Sequence, residues 1–448
     1  MVTSSPANGG SREVADFRSV WESASKQSVV DRQSSASNLP GGRAKTGDRS
    51  LTMRVAIVGA GVGGLTAAIA LARQGMEVKV FEQAAVIAQA GASLSLGPNA
   101  VRLLDDLGLG PEVRRNGVLP HAVDLLRWSD GSLLHHTSLG PPMEAYFGAS
   151  QLDFFRPDLH KLLVAALPEA SLCLGALVVG VDQQDEEATL AFADGTRIQA
   201  DIVVAADGIG SSIRKQLVGR ENRVFSGTVV YRGVARREDV ATLHPPHVNY
   251  YWLGPYRHGV SYWIAGGDHL AVTCAVRDAA WSHESWTLEA PVAEALRYVE
   301  GWHEPLLERM RQCPVMLRGA VFVNQPLEHW SYGLVTLLGD AAHAMEPFHG
   351  QGAAQAIEDA YVLAECLAED SSEPAAALRR YETIRMARAR EMQESTEAAA
   401  NAFYLPDGEE QRARDASYVS LHETQPWGPR QRIWEYDVRE ALRSTARL

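Results

Sequence analysis

At 448 residues the chain exceeds one average domain and can bury a sizeable core, so one large α/β unit or two domains sharing an interface is expected. A formal net charge of −13 leaves no basic excess to displace counterions, which argues against a nucleic-acid surface and points to small-molecule partners. No apolar stretch is long enough for a bilayer, and four scattered cysteines without a CxxC pair suit reduced thiols in a cytoplasmic enzyme, not a disulfide framework or a zinc site.

Residues 1–52 are rich in Ser, Gly and charge of both signs and carry no apolar h-region, so a disordered extension is predicted there, not a secretory signal. Glu13, Asp16, Glu22 and Asp31 also speak against a transit peptide, which avoids acids. The segment "MRVAIVGAGVGGLTAAIALARQGMEVKVFE" then opens with an apolar run, Val55 to Val58, that reads as a strand buried on both faces. Gly59, Gly61 and Gly64 follow with GxGxxG spacing around Ala60 and Gly63. Leu65, Ala68, Ile69 and Ala72 recur at helical spacing, Gly75 ends the helix, and a second strand ends at Glu82. In such a βαβ unit Gly59 permits the tight turn, Gly61 lets the backbone approach a pyrophosphate, and Gly64 lets helix and sheet pack closely. Glu82 is placed to accept ribose hydroxyls.

Further along, strands at 188–192 and 197–200 flank Asp194-Gly195, a hairpin signal. The apolar strand 202–206 ends in Asp207-Gly208, and "IGSSIR" then opens a helix. A second backbone nest with an acid is thus expected at a strand's carboxyl end, with Arg214 as phosphate contact or structural partner. Residues 225–276 are short, aromatic and β-branched runs separated by Gly and Pro, which predicts an antiparallel sheet. Alternation puts Tyr231 on one face of it and Arg232 on the other.

The stretch "GDAAHAMEPFHGQGAAQAIEDA" at 339–360 admits three chemistries: a metal site, a histidine acid/base centre, or a backbone cradle. His343 and His349 are separated by Pro347 and lack i, i+4 spacing, which disfavours zinc. A strand over 333–338 delivers Asp340 at its end. Gly350 and Gly352 precede an apolar-faced helix, which makes sense if unhindered N–H groups at the helix start meet something anionic or polar.

Together, GAGVGG (59–64), DGIGSSIR (207–214) and GDAAHAMEPFHGQGA (339–353), in that order, resemble the signature set of the single-component FAD-dependent aromatic hydroxylases, the family of p-hydroxybenzoate and salicylate hydroxylases. The likeness runs from about Arg54 to Met392, and "TVVYRGVA" and "PFHGQGA" look most like the salicylate hydroxylase branch. It implies an α/β fold: a Rossmann-like FAD-binding domain over 53–224 and 315–400, an inserted antiparallel β-sheet substrate region over 225–314, and a C-terminal tail over 401–448. It implies that Gly59, Ala60, Gly61, Gly63 and Gly64 form a cofactor-binding turn, that Glu82 holds the adenosine ribose, and that Asp207, Gly208 and Asp340 serve the pyrophosphate and ribityl region. Gly352 and Ala353 would offer N–H groups to the flavin's pyrimidine edge. Arg156 in "FFRPDLHKLL" matches an arginine that reaches FAD in relatives, although Phe155 stands where they carry His. "GASLSLGPN" departs from their GAGI pattern at Ser93.

The implied chemistry is NAD(P)H-driven hydroxylation of a small aromatic substrate by O₂ through a flavin C4a-hydroperoxide. The protein's tasks are to exclude water and to help deprotonate a phenol. Candidates for these tasks are His349 beside the flavin-facing helix start, Tyr231 on the sheet, and Arg232 as a carboxylate anchor. Two other readings remain: a secondary-metabolism flavin oxygenase acting on a fused or nitrogen-containing ring, and a module that binds flavin without turnover. A monomer or homodimer is expected, with no membrane and no metal. Leu378, Tyr381 and Ile384 predict a helix packing back on the FAD domain, and the polar tail either pairs subunits or caps the pocket.

Overall fold

The computed structural model describes residues 52–87, 93–184, 186–240, 242, 245, 247–278, 288–424 and 426–445. The extension predicted for 1–52 therefore lies outside the described residues except for Thr52.

Continuous apolar runs cannot leave either face wet, so they take the middle of a layered α/β unit. Arg54–Val58 pairs in parallel with Glu77–Glu82 on one side and Ile202–Ala205 on the other, and Ile202–Ala205 pairs in parallel with Val335–Leu337. Leu172–Leu174 and Ser331–Tyr332 complete a six-stranded sheet at its two edges. The helices Val62–Arg73 and Gly352–Glu369 pack on it and on each other. The approach is close because Gly63 has no side chain: a Cβ there would lie 2.6 Å from Leu338 Cδ2 and 3.0 Å from Ala356 Cβ. The 30-residue helix Pro374–Phe403 lies against the Gly352–Glu369 helix with Leu378, Tyr381 and Ile384 buried, as their spacing predicts.

The hairpin expected around Asp194-Gly195 is present, with Gly195 at φ +88°. The predicted antiparallel sheet also forms, but it has eight strands and draws on more of the chain than 225–314. Ala122–Arg127 joins in parallel with Val248–Gly254, Leu133–Ser138 lies outside it, and Met316–Asn324 pairs with the long strand Arg223–Arg236. A parallel partner arrives through a long crossover, which no local turn signal announces.

The two faces of this sheet have different roles. On one, Val229, Tyr231, Ala235, Trp252 and Cys274 bury against the helices Val292–Tyr298 and Glu304–Arg311, through Ala295, Val299, Leu306 and Met310. On the other, Arg232, Thr273, Val260, Tyr251, Leu125 and His135 stand in register across six strands. This second face meets the small sheet Ser93–Leu96/Leu152–Phe155 and the C-terminal segment, whose Tyr418, Trp427, Ile433 and Trp434 join Val123, Leu125 and Leu253 in one core. The tail is thus built into the body. Arg102 donates to the carbonyls of Trp434 and Tyr436, Arg388 donates to that of Ile433, and Gly97 leaves room for the Trp434 indole. Among the described residues no helix is long and apolar enough to cross a membrane.

Candidate functional site

The first glycine turn separates cleanly into protein-facing and open positions. Gly59 sits at φ +99°, and a Cβ on it would fall 2.4 Å from the Ala206 carbonyl oxygen. A Cβ on Gly64 would fall 2.0 Å from the Gly59 oxygen. Gly61, in contrast, has extended backbone that any residue adopts (φ −72°, ψ 179°), and nothing lies within 4 Å of its would-be Cβ. No protein neighbour requires glycine there.

Beside it, Glu82 accepts the N–H groups of Ala60 and Ala84, both at 2.9 Å, at the end of its strand. Ala60, Gly61, Glu82, Arg156, Pro157 and His160 line a cleft of about 230 Å³. His160 escaped the sequence reading. It lies one helical turn after Arg156, within Arg156–Ala165, a spacing that puts both on one face. Its Nε2 meets the Ala60 carbonyl, and its buried Nδ1 has no protein partner among the described residues.

Asp207 follows the strand Ile202–Ala205. Its Oδ2 accepts the Ser212 N–H at 3.0 Å, its buried Oδ1 has no partner among the described residues, and burial pushes its carboxyl upward. Gly208 next to it is at φ +77° with open space around its would-be Cβ. Of the two roles open to Arg214, the geometry supports the structural one. The buried guanidinium donates to the Ile209 carbonyl at 2.7 Å and the Ala341 carbonyl at 3.2 Å, tying the second corner to the third.

At that third corner Asp340 is exposed, and the nearest atom to a would-be Cβ on Gly352 is its Oδ1, at 3.9 Å. Gly352 and Ala353 open the following helix. What holds this corner is a buried polar network that sequence reasoning missed. Asp359 accepts the Gly339 N–H at 3.0 Å, pairs with His343 Nε2 at 2.6 Å and receives Arg385 Nε at 2.8 Å. Arg385 also reaches Glu358 at 2.6 Å and Gln355 at 2.7 Å, while Asn99 bridges Glu358 and Gln351. Burial opposes charge on Asp359, but His343 and Arg385 outweigh it and hold its carboxyl down at about 2. His343 is therefore tied to Asp359 within this buried network.

His349 closes the short turn Pro347–His349, half-buried, with Nε2 3.1 Å from Ser395 Oγ. Burial, then the charge of Arg430, pushes it down to about 4, so it is neutral near pH 7. Phe348 of the same turn packs edge-on against Phe403 and Tyr404 and tilted against His258, an aromatic cluster between the sheet and the long helix. Ser93, where the sequence departs from its relatives, accepts the Tyr262 hydroxyl at 2.7 Å and so pins the small sheet to the large one.

Tyr231 needs correction. Its hydroxyl donates to Glu294 at 2.8 Å, and its ring lies on the helix-covered face of the sheet, away from the three corners. The strand's two-residue period places Arg232 on the corner-facing side instead, half-buried, where burial and then the nearby Arg156 charge push its guanidinium down to about 10. Among the described residues no group of three His, Cys, Asp or Glu side chains could hold a metal.

These features fit an FAD. An open glycine at the first turn, an acid at the end of the adjoining strand, an Asp207 oxygen without a partner among the described residues and an exposed Asp340 carboxylate are what a dinucleotide would satisfy. Comparison with known proteins agrees. The FAD binding domain family matches residues 52–396. A 3-amino-4-hydroxybenzoate 2-monooxygenase of Streptomyces platensis is 39% identical over 81% of this chain and 92% of its own. A 6-hydroxynicotinate 3-monooxygenase of Pseudomonas fluorescens is 35% identical over 71% and 84%. Among solved structures, a salicylate hydroxylase substrate complex superposes with a TM-score of 0.75 at 29% identity, covering 88% of this chain and 97% of that one. HpxO of Klebsiella pneumoniae, complexed with FAD and uric acid, gives 0.75 at 27% identity over 87% and 97%.

Proposed function

The chain belongs to the single-component FAD-dependent aromatic hydroxylases, and from that premise we propose that its substrate is a small phenolic carboxylic acid of the hydroxybenzoate or hydroxynicotinate kind. It is an FAD-dependent monooxygenase that uses NAD(P)H and O₂. Bound FAD, once reduced, supplies the oxygen-transfer chemistry. The rest falls to the chain's own side chains.

Glu82 and Arg156 receive the adenosine half of the cofactor, with Gly59, Ala60, Gly61, Gly63 and Gly64 as its backbone cradle. Asp207, Gly208 and Asp340 face the pyrophosphate and ribityl region. Gly352 and Ala353 present N–H groups to the pyrimidine edge, at a helix start where the backbone favours partial negative charge. Arg232, beside Arg156, adds positive charge at the cofactor end of the sheet face. His349 accepts the phenolic proton at Nε2, where Ser395 Oγ now sits at 3.1 Å. A bound anion beside the imidazole raises its basicity, because opposite charge stabilises the imidazolium. The cluster of Phe348, His258, Phe403 and Tyr404 keeps water from that side.

The observation that carries this reading is the convergence of the Arg232–Tyr251 sheet face on the turn that bears His349, next to the three corners. The class of ring is supported by relatives named for 3-amino-4-hydroxybenzoate, 6-hydroxynicotinate and 3-hydroxybenzoate, all ring carboxylates. The test is product formation from 3-hydroxybenzoate, salicylate, 3-amino-4-hydroxybenzoate and 6-hydroxynicotinate, with hydroxylated product counted per NAD(P)H consumed. Hydroxylation confined to neutral fused rings would overturn the substrate class. Replacing His349 with Gln should cut hydroxylation about 100-fold while FAD stays bound; unchanged product formation would remove it as the base.

A further inference from the structure

We propose that Arg430, carried by the C-terminal segment, receives the carboxylate of the ring substrate and makes the tail a specificity element of the active site. The proposal rests on the phenolic-acid reading above. Arg430 lies outside residues 52–396, which the FAD binding domain family matches.

Arg430 ends the short turn Gly428–Arg430. The turn is fixed from both sides: Trp427 Nε1 donates to the Ser138 carbonyl at 3.0 Å, and the Arg430 guanidinium lies 5.1 Å from the centroid of the buried Trp434 ring. Tyr251 packs on the same core as Trp427 and Trp434. Trp434 covers Gly97, and Ser95, two residues earlier, lies 3.8 Å from a would-be Cβ on Gly350, the neighbour of His349; the Arg430 charge is accordingly felt by Tyr251, His349 and Asp153. It therefore stands where the corner-facing side of the sheet meets the His349 turn.

A cation half-buried in such a place ordinarily has a carboxylate partner. The other tail arginines withdrawn from solvent do: Arg414 pairs with Asp415 at 2.7 Å, and Arg439 with Asp437 at 2.6 Å. Arg430 has no ion pair among the described residues. The acid nearest in kind, Asp153, is already occupied, since Ser95 Oγ, Gln151 Nε2 and Asn249 Nδ2 all donate to it. The Arg430 fork and the Tyr251 hydroxyl together present the donors that a carboxylate accepts in a bidentate pair.

Arg232 is a poorer anchor for the same group. It stands three strands from Tyr251 in the register Arg232–Thr273–Val260–Tyr251, about 14 Å at the usual strand spacing. A single-ring acid whose carboxylate meets the Tyr251 hydroxyl does not reach across that distance to Arg232.

The test uses the full-length, FAD-loaded protein and reads binding, not turnover, from the change in flavin absorbance. Three acids, 3-hydroxybenzoate, 3-amino-4-hydroxybenzoate and 6-hydroxynicotinate, are each titrated beside the corresponding carboxamide. For whichever acid binds the unaltered protein, Arg430→Gln should weaken it about 30-fold and leave its amide within about twofold, with FAD content unchanged. Arg430→Lys keeps the charge but not the fork, and should fall between; it also serves if the glutamine variant folds poorly. Equal losses for acid and amide, or no loss for either, would overturn the proposal while leaving the substrate class standing. If the unaltered protein binds none of the acids, the substrate class fails and the proposal with it.

Discussion

Gly61→Ala and Gly64→Ala should separate the cofactor's claim on the first turn from the fold's own. At Gly61 the backbone is already extended and the added methyl meets no atom within 4 Å. Alanine in this N-cap position costs the helix a few tenths of a kcal/mol to about 1 kcal/mol. Stiffening the unfolded chain returns about 0.4–1 kcal/mol, so the apoprotein should change by less than about 1 kcal/mol. FAD should fare worse, because the methyl fills the space through which the pyrophosphate approaches. A loss of about 100-fold in affinity, or about 2.7 kcal/mol, is expected. At Gly64 the new Cβ would sit 2.0 Å from the Gly59 oxygen, where carbon and oxygen ordinarily keep about 3.3 Å. Helix and turn must then move apart by more than about 1 Å, at a cost of about 3 kcal/mol to the apoprotein itself. Urea denaturation of the two apoproteins followed by circular dichroism, and FAD titration followed by quenching of flavin fluorescence, read the two quantities separately. Equal destabilisation by both substitutions, or undiminished FAD binding by Gly61→Ala, would refute the reasoning.

Arg385→Met takes the guanidinium from Glu358 and Asp359, each no more than 1% exposed, and leaves Asp359 with His343 alone for a cation. The expected loss is about 3–5 kcal/mol in a urea titration, and an unchanged midpoint would show that the network does not hold the third corner. Tyr231→Phe removes a hydroxyl that donates to Glu294 on the far face, so stability should drop by about 1 kcal/mol while the hydroxylation rate holds; a collapsed rate would return Tyr231 to the active site. Burial pushes His258 from 6.5 down to about 4. Between those values the unfolded chain binds the proton and the folded one does not, so this histidine's contribution is complete above about pH 6.5 and is lost as the pH falls toward 4, by up to about 3 kcal/mol. The denaturation midpoint of His258→Leu should accordingly fall less steeply with pH than that of the unaltered protein, and parallel profiles would contradict the assignment.

Much of the cofactor half was legible because it is local. A buried strand, a glycine turn, a helix and a terminal acid lie within thirty residues, from Met53 to Glu82, and each leaves its own mark in the letters. The Asp207 and Asp340 corners carried the same mark, an acid where an apolar run stops. His160 was overlooked although its four-residue offset from Arg156 was in plain view. The Asp359–Arg385–Glu358 network left no such trace. Acids inside an alanine-rich helix and an arginine in a polar one look like solvated surface until a second helix is laid against the first.

What the sequence alone determined, then, was the set of short-range geometries: strand ends, turns and the alternation that sends Tyr231 and Arg232 to opposite faces. It could not say which face looks toward the cofactor, because alternation is symmetric and only packing against Ala295, Val299 and Leu306 breaks the tie. Nor could it place the tail. Arg430 is brought to the side of the sheet that carries Tyr251 by the packing of Trp427 and Trp434, far along the chain, and such contacts are chosen by how layers stack, at an entropic cost that grows only slowly with the length of chain between them.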